Sequence, residues 1–160
     1  MIPRRRLFAA LLVAAPMLVV AASLWGCAPP PPPPPVLDLQ IAAGADQNPD
    51  AAGKSTPVAV HMYQLGATAK FERADVFAVT EREAATLGAD VLASEAFVLS
   101  PGETRTIARE LKIGTRFIGI VVLYRDIDHA TWRAIAKVAP NGPSTLMLTT
   151  KGIVTTLAPR

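Results

Sequence analysis

Seven consecutive prolines, Pro29–Pro35, constrain this chain more than any other feature. Proline fixes φ and lacks the N–H that helices and sheet ladders need, so the run favours polyproline II over helix or strand. At roughly 3.1 Å per residue it makes a stiff spacer of about 20 Å. It separates an apolar leader from one remaining segment, 36–160, which is long enough for a single domain with its own core. A stalk is the favoured reading of the run, ahead of a docking site for a proline-binding module.

The leader has a cationic start at Arg4-Arg5-Arg6, an apolar stretch from Leu7 to about Ser23, and then Leu24-Trp25-Gly26-Cys27. This is the layout of a secretory signal with a small residue at the cut site. The cut would fall before Cys27, the only cysteine in the chain. Residues 1–26 therefore read as a bacterial lipoprotein signal peptide, and 27–35 as a lipidated cysteine followed by a polyproline linker. One acyl chain holds a protein to a membrane only marginally, whereas several on one residue anchor it stably. Trp25 is bulkier than the residue usual two places before such a cysteine. Leu7–Leu24 spans 18 residues, and roughly 17–25 suffice to cross a bilayer. Pro16 near its centre, the lack of a polar stop-transfer cluster and the lone Cys27 after a glycine favour the lipoprotein over an uncleaved anchor. Ala28 is not the aspartate that retains lipoproteins of enteric bacteria at the inner membrane, so the expected destination is the outer membrane.

Setting the leader aside changes the charge balance. The whole chain is formally +3. Removing Arg4, Arg5 and Arg6 from its 16 basic residues leaves 13 against 13 acidic ones, a mature charge of zero. No cluster of Lys and Arg interleaved with aromatics is present, so nucleic acid is not an expected partner. With Cys27 acylated, neither a free thiol nor a disulfide remains, and the domain must be stable from its core alone.

Beyond the stalk the chain reads mainly as strands. Leu37, Leu39 and Ile41 alternate with Asp38 and Gln40, the period of a half-buried strand. Gly44–Pro57 is a loop, and Val58–Leu65 a second strand. Six more follow: Ala93–Leu99, Thr104–Leu111, Arg116–Tyr124, Thr131–Val138, Thr145–Thr150 and Ile153–Leu157. The segments between them carry turn residues. This pattern predicts an all-β antiparallel sandwich of about eight strands. Phe117–Leu123 is apolar on both faces and should be a central strand covered on each side. In Thr131–Val138, Trp132, Ala134 and Ala136 should face inward, and Arg133 should point outward and tolerate substitution. Residues of about 68–90 break the strand pattern. Phe71, Ala74 and Phe77 recur at helical spacing, Thr80-Glu81-Arg82-Glu83 fits a capping box, and Gly88 suits a helix end. A small helical insertion there is the natural cover for the outer face of the central strand.

Catalytic motifs fail on inspection. Asn48-Pro49-Asp50-Ala51-Ala52-Gly53-Lys54-Ser55 nearly matches a phosphate-binding P-loop, but the first glycine is Asn48, Pro49 removes a donor, and a strand follows where a helix is required. His61 lies mid-strand. His129 shares a tight connection with Asp126 and Asp128, and a turn rich in Asp is more often a turn than a metal site. No serine has a Gly-x-Ser-x-Gly context. The expectation is no enzyme, no cofactor and no metal. Gly44–Pro57 stands out instead, because a fourteen-residue connection without regular structure is usually functional or disordered. Few core residues fall within it, so shortening it should leave folding intact.

From about Val58 to Arg133, ordered motifs carry a family likeness. They are Val60-x-x-Tyr63-Gln64-Leu65, Phe71-x-x-Ala74-Asp75, Thr86-Leu87-Gly88-Ala89-Asp90-Val91-Leu92-Ala93-Ser94-Glu95, Phe97-Val98-Leu99-x-Pro101-Gly102-Glu103, and Arg125-Asp126-Ile127-Asp128 with Trp132-Arg133. In this order, behind a lipoprotein signal, they resemble the outer-membrane lipoprotein of the type VI secretion system, the TssJ family (also SciN or VasD). The resemblance implies a transthyretin-like β-sandwich with a helical addition. It further implies a lipid-anchored protein on the periplasmic face of the outer membrane that binds the periplasmic domain of the inner-membrane component TssM. In the family the loop between the first two strands is associated with that contact. By position it maps here onto Gly44–Pro57, whose Asp46, Gln47, Asn48, Asp50, Lys54 and Ser55 become the candidate partner-binding residues. The rival reading is a periplasmic lipoprotein that captures a small ligand or a carbohydrate. It would need a concave site lined by aromatics, and aromatics make up only 6% of the chain.

Overall fold

Leu37, Leu39 and Ile41 are buried while Asp38 and Gln40 between them are half-buried, so the first strand follows its period-two spacing. In this computed structural model, which describes residues 30–160, it is β1 (Pro35–Ala43). The leader with Trp25, and the candidate lipidation site Cys27, lie outside the described residues. After β1 come β2 (Val58–Leu65), β3 (Val91–Leu99), β4 (Thr104–Glu110), β5 (Phe117–Leu123), β6 (Arg133–Lys137), β7 (Gly142–Lys151) and β8 (Val154–Pro159). They form two four-stranded sheets, ordered β4-β1-β7-β8 and β3-β2-β5-β6. The fold is the expected all-β sandwich with a helical insertion.

One pairing differs from the antiparallel expectation. β1 and β7 run parallel, from Pro35 opposite Gly142 to Ala43 opposite Thr150. Parallel neighbours need a long crossover, and here it includes five other strands, so no local turn could announce it. Pro35, the last residue of the proline run, belongs to β1 rather than to the linker. A missing N–H is tolerated at the first residue of a strand, and the Pro35 carbonyl accepts a hydrogen bond from the Leu111 N–H at 2.8 Å.

β5 is covered twice. Ile118, Ile120 and Val122 lie in the core between the sheets with Leu37, Leu39, Val60, Leu146 and Leu148. Val121 faces the other way, into a second core with Tyr63, Leu65, Phe71, Val76, Val79 and Leu87. The cover is the predicted insertion, folded as α1 (Ala69–Arg73), α2 (Val76–Glu81), α3 (Glu83–Leu87) and a 3-10 turn over Gly88–Asp90. The capping box falls elsewhere than the sequence suggests. Asp75 caps α2 by accepting from the Ala78 N–H at 2.8 Å, while the Thr80 hydroxyl bonds back to the Val76 carbonyl. Such back-bonding suits a residue inside a helix, not its start. Phe71 is fully buried, but Phe77 is 55% exposed. Gly88 ends α3 at φ 56°, as its position predicts.

Helices of five and six residues are not stable alone, so this cover depends on its attachment to the sheet. The Tyr63 hydroxyl donates to the Val79 carbonyl at 3.3 Å. Arg133 Nη1 donates to the carbonyls of Phe71 and Ala74 at 2.7 and 3.0 Å, and its guanidinium lies 4.8 Å from the Trp132 ring centre. Arg133 does point away from the inter-sheet core, but that face is not solvent. The expected tolerance to substitution is therefore corrected: Arg133 clamps the end of α1. Trp132 is half-buried and packs against both cores. Gly119 of β5 completes the fit, because a Cβ there would lie 2.8 Å from Phe71 Cζ and 2.9 Å from Leu65 Cδ1.

Two substitutions test the attachment. Arg133→Ala strands two carbonyl groups and should cost about 1–3 kcal/mol. Gly119→Ala should cost about 1–3 kcal/mol by overpacking the seat of Phe71. Urea denaturation of both variants against Arg109→Ala, whose exposed ion pair with Glu95 is worth about 0–1 kcal/mol, checks the ranking.

Candidate functional site

The 44–57 connection is an ordered structure with its own hydrogen-bond frame. Gly44 starts it where no side chain fits: a Cβ would lie 2.6 Å from the Thr150 carbonyl oxygen. Gln47 and Asn48 then turn inward, 0% and 3% exposed. Gln47 Nε2 donates to the Leu99 carbonyl at 2.8 Å, and its Oε1 accepts from the Thr150 hydroxyl at 2.6 Å. Asn48 sits at φ 48°, a left-handed conformation that asparagine tolerates better than most residues. Its Nδ2 donates to Thr56 Oγ1 and to the Pro57 carbonyl, both at 2.9 Å, and its Oδ1 accepts from the Arg125 N–H at 2.8 Å. Its own N–H donates to the Gly152 carbonyl at 2.8 Å.

One asparagine thus joins three chain segments at one end of the sandwich: the loop, Arg125 after β5, and the Gly152 turn between β7 and β8. The tip beyond it is a small hairpin in which Pro49 pairs with Ser55. Asp50 Oδ1 accepts from the N–H groups of Ala52 and Lys54, each at 2.9 Å, and Gly53 takes the left-handed position at φ 78°. The near-match to a P-loop is therefore a side-chain-closed turn leading into β2, with no helix after it. A groove runs alongside, lined by Pro49, Asp50, Ala51, Arg125, Asp126 and Ile153.

The six candidate residues divide. Asp46 and Lys54 are exposed, and Asp50 and Ser55 partly so. Gln47 and Asn48 are committed to the interior, where they hold the loop rather than present it. The expectation that the whole loop could be shortened without harm to folding is corrected for the same reason. Arg125 and Asp126, which share the groove with Asp50, were absent from the candidate set. The signal that could have pointed to them is their place in a turn after a doubly buried strand, at the same end of the sheet as the loop.

His129 is exposed, its Nδ1 2.7 Å from Asp126 Oδ1, and the hydrogen bond and charge of Asp126 raise its pKa above 6.5. Among the described residues no group of three or more His, Cys, Asp or Glu side chains is placed to hold a metal ion. His61 lies half-buried on the outer face of β2, and burial lowers its pKa, an effect opposed by Glu83.

The sandwich thus presents a braced polar loop beside a charged groove. Residues 35–153 match the type VI secretion lipoprotein family, which includes VasD, EvfM and TssJ. The chain belongs to that family. No curated protein sequence matches it. The crystal structure of the type VI lipoprotein TssJ1 from Pseudomonas aeruginosa is similar at 38% identity and a TM-score of 0.77, over 80% of this chain and 98% of that one. A chain of a type VI membrane complex is similar at 28% identity and a TM-score of 0.67, over 78% and 98%. A chain in the structure of the TssM C-terminal domain from EAEC is similar at 27% identity and a TM-score of 0.63, over 78% and 98%.

The frame and the tip should respond differently to substitution. Asn48→Ala removes the partners of the part-buried Arg125 N–H and Pro57 carbonyl and places alanine in a left-handed conformation, costing about 2–4 kcal/mol. Replacing Ala51-Ala52-Gly53 by a shorter glycine turn should move the melting temperature little. Asp126→Asn should return the His129 pKa toward 6.5, read by NMR titration of the ring protons.

Proposed function

We propose that this protein is acylated at Cys27, is held on the periplasmic face of the outer membrane, and binds the periplasmic domain of a TssM-type inner-membrane protein. It acts as a tether rather than as an enzyme: lipid supplies retention, the sandwich supplies a platform, and the loop supplies specificity. The observation that carries the reading is the braced 49–55 tip. Because Asn48 and Gln47 fix its base from inside, Asp50, Lys54 and Ser55 are held in place before a partner arrives, which lowers the ordering cost of binding. Arg125 and Asp126 extend the same polar surface along the groove. Support for the partner comes from the similar chain found within a TssM C-terminal-domain structure. Residues 1–26 serve as the signal peptide and 27–34 as linker, with the sandwich beginning at Pro35.

Binding of the purified TssM-type periplasmic domain tests the contact by calorimetry. Lys54→Glu combined with Arg125→Glu, two exposed side chains outside the hydrogen-bond frame, should weaken it by at least about tenfold with the melting temperature unchanged. Full affinity in that folded variant would move the contact to another surface. Cys27→Ser should release the protein from membranes or leave an uncleaved precursor, read by fractionation and fatty-acid labelling.

A further inference from the structure

The two ends of the sandwich differ in chemistry. β1 runs the length of its sheet, so the 44–57 loop lies at one end and Pro35 at the other. The Pro35 end is gathered by backbone bonds: the Leu111 N–H donates to Pro35, that of Gly142 to Pro34 and that of Val138 to Arg116. Three basic side chains are exposed there, Lys112, Arg116 and Lys137. Against them stand Glu110 and Asp90, the latter already paired with Lys70 at 3.3 Å. Among them Ile113 is 91% exposed, and Leu92, 37% exposed, packs beside the same turn within 3.7 Å of where a Cβ on Gly114 would lie.

A single exposed isoleucine usually needs no explanation. This one is presented by a braced turn. Gln64 Oε1 accepts from the Lys112 N–H at 2.8 Å, the buried Thr115 hydroxyl donates to the Lys112 carbonyl at 2.7 Å, and Gly114 takes φ 96°. The turn thus holds an aliphatic tip between Lys112 and Arg116, with Lys137 paired across from Phe117 on the neighbouring strand.

We propose that this end is a second, reversible contact with the membrane. Ile113 and Leu92 enter the headgroup layer, and Lys112, Arg116 and Lys137 lie over anionic headgroups. Basic residues gain from an anionic surface only within about a Debye length, roughly 8 Å at physiological salt. That distance is reachable. Pro33–Pro35 are already bonded to the domain, and Cys27 to Pro32 spans at most roughly 20 Å even when fully extended, so a stalk tilted along the surface brings the turn down. The placement rests on the proposed acylation of Cys27, which fixes where the membrane is. An aliphatic tip flanked by basic side chains complements a headgroup layer, anionic at its face and apolar beneath, whereas the opposite end mixes Asp46, Asp50, Asp126 and Asp128 with Lys54, Arg125 and Lys151 and, among the described residues, exposes no large aliphatic tip of this kind.

The mature full-length protein carrying Ile113→Trp, mixed with brominated vesicles of roughly one-third phosphatidylglycerol in phosphatidylcholine, tests this. Its tryptophan fluorescence should be quenched at least about twofold more than that of the parent. High salt, neutral vesicles or added Lys112→Glu and Arg116→Glu substitutions should abolish the difference. Ala51→Trp, at the other end, should stay unquenched. Flotation reports the lipid anchor separately: flotation without quenching at Ile113→Trp leaves the anchor standing and overturns the docking. If flotation fails, the acylation reading fails, and quenching in excess vesicles still decides the docking. Equal quenching at both ends, or protection of Ile113→Trp only on adding the TssM-type periplasmic domain, also overturns it.

Discussion

A strand apolar on both faces cannot be left with one face in water, and β5 sets this constraint for the whole molecule. Ile118, Ile120 and Val122 are satisfied by the opposing sheet; Val121 and Leu123 need something else. The insertion between β2 and β3 meets that need with helices too short to exist independently. Their stability comes from the surface they cover, which is why polar fastenings from the sheet recur: Tyr63 to Val79, and Arg133 to Phe71 and Ala74. Gly119 belongs to the same solution, since the Phe71 ring occupies the space a side chain there would take. Cover and covered strand are one cooperative unit.

The loop at the far end obeys the opposite economy. It contributes no large apolar side chain, yet it is ordered, because two buried amides give its backbone fixed partners. Gln47 and Asn48 use both their donor and acceptor ends on separate segments. Each would cost more to leave half-satisfied than it contributes when satisfied, so the arrangement tolerates few alternatives. A polar loop with a fixed base is what a recognition surface needs and what a merely solvated loop lacks.

The sequence was most legible where one element determines its own environment. The alternation of Leu37, Leu39 and Ile41, the unbroken apolar run of β5, and the helical spacing around Phe71 each report local burial, and each folds accordingly. Legibility failed where the determining partner is remote in sequence. Gln47 and Asn48 read as solvent-facing amides because their partners lie at Leu99, Thr150 and Arg125. Arg133 read as a free outward residue because the sequence does not reveal which sheet face the insertion covers. The parallel registry of β1 with β7 is a property of the whole crossover. Thr80-Glu81-Arg82-Glu83 misled for a different reason: it satisfies the capping pattern, but Asp75, five residues earlier, already starts the helix. Of the site, the loop's position was readable; its division into a buried frame and an exposed tip was not.

The parallel pairing has a mechanical consequence for a tether. Under the proposed function, load enters at the loop and is resisted at the stalk, and both join the same strand: Pro35 begins β1 and Gly44 follows its last residue. β1 is not an edge strand. It lies between β4 and β7 and is bonded to both along nearly its whole length. Tension along β1 therefore acts across its ladders of hydrogen bonds in shear, so that many must yield together. A strand at the edge, or a hairpin opened from its end, would give way one bond at a time. The feature that local patterning could not reveal is also the one that, under the proposed function, would make the sandwich a coupling element between membrane and partner, not merely a support for the loop.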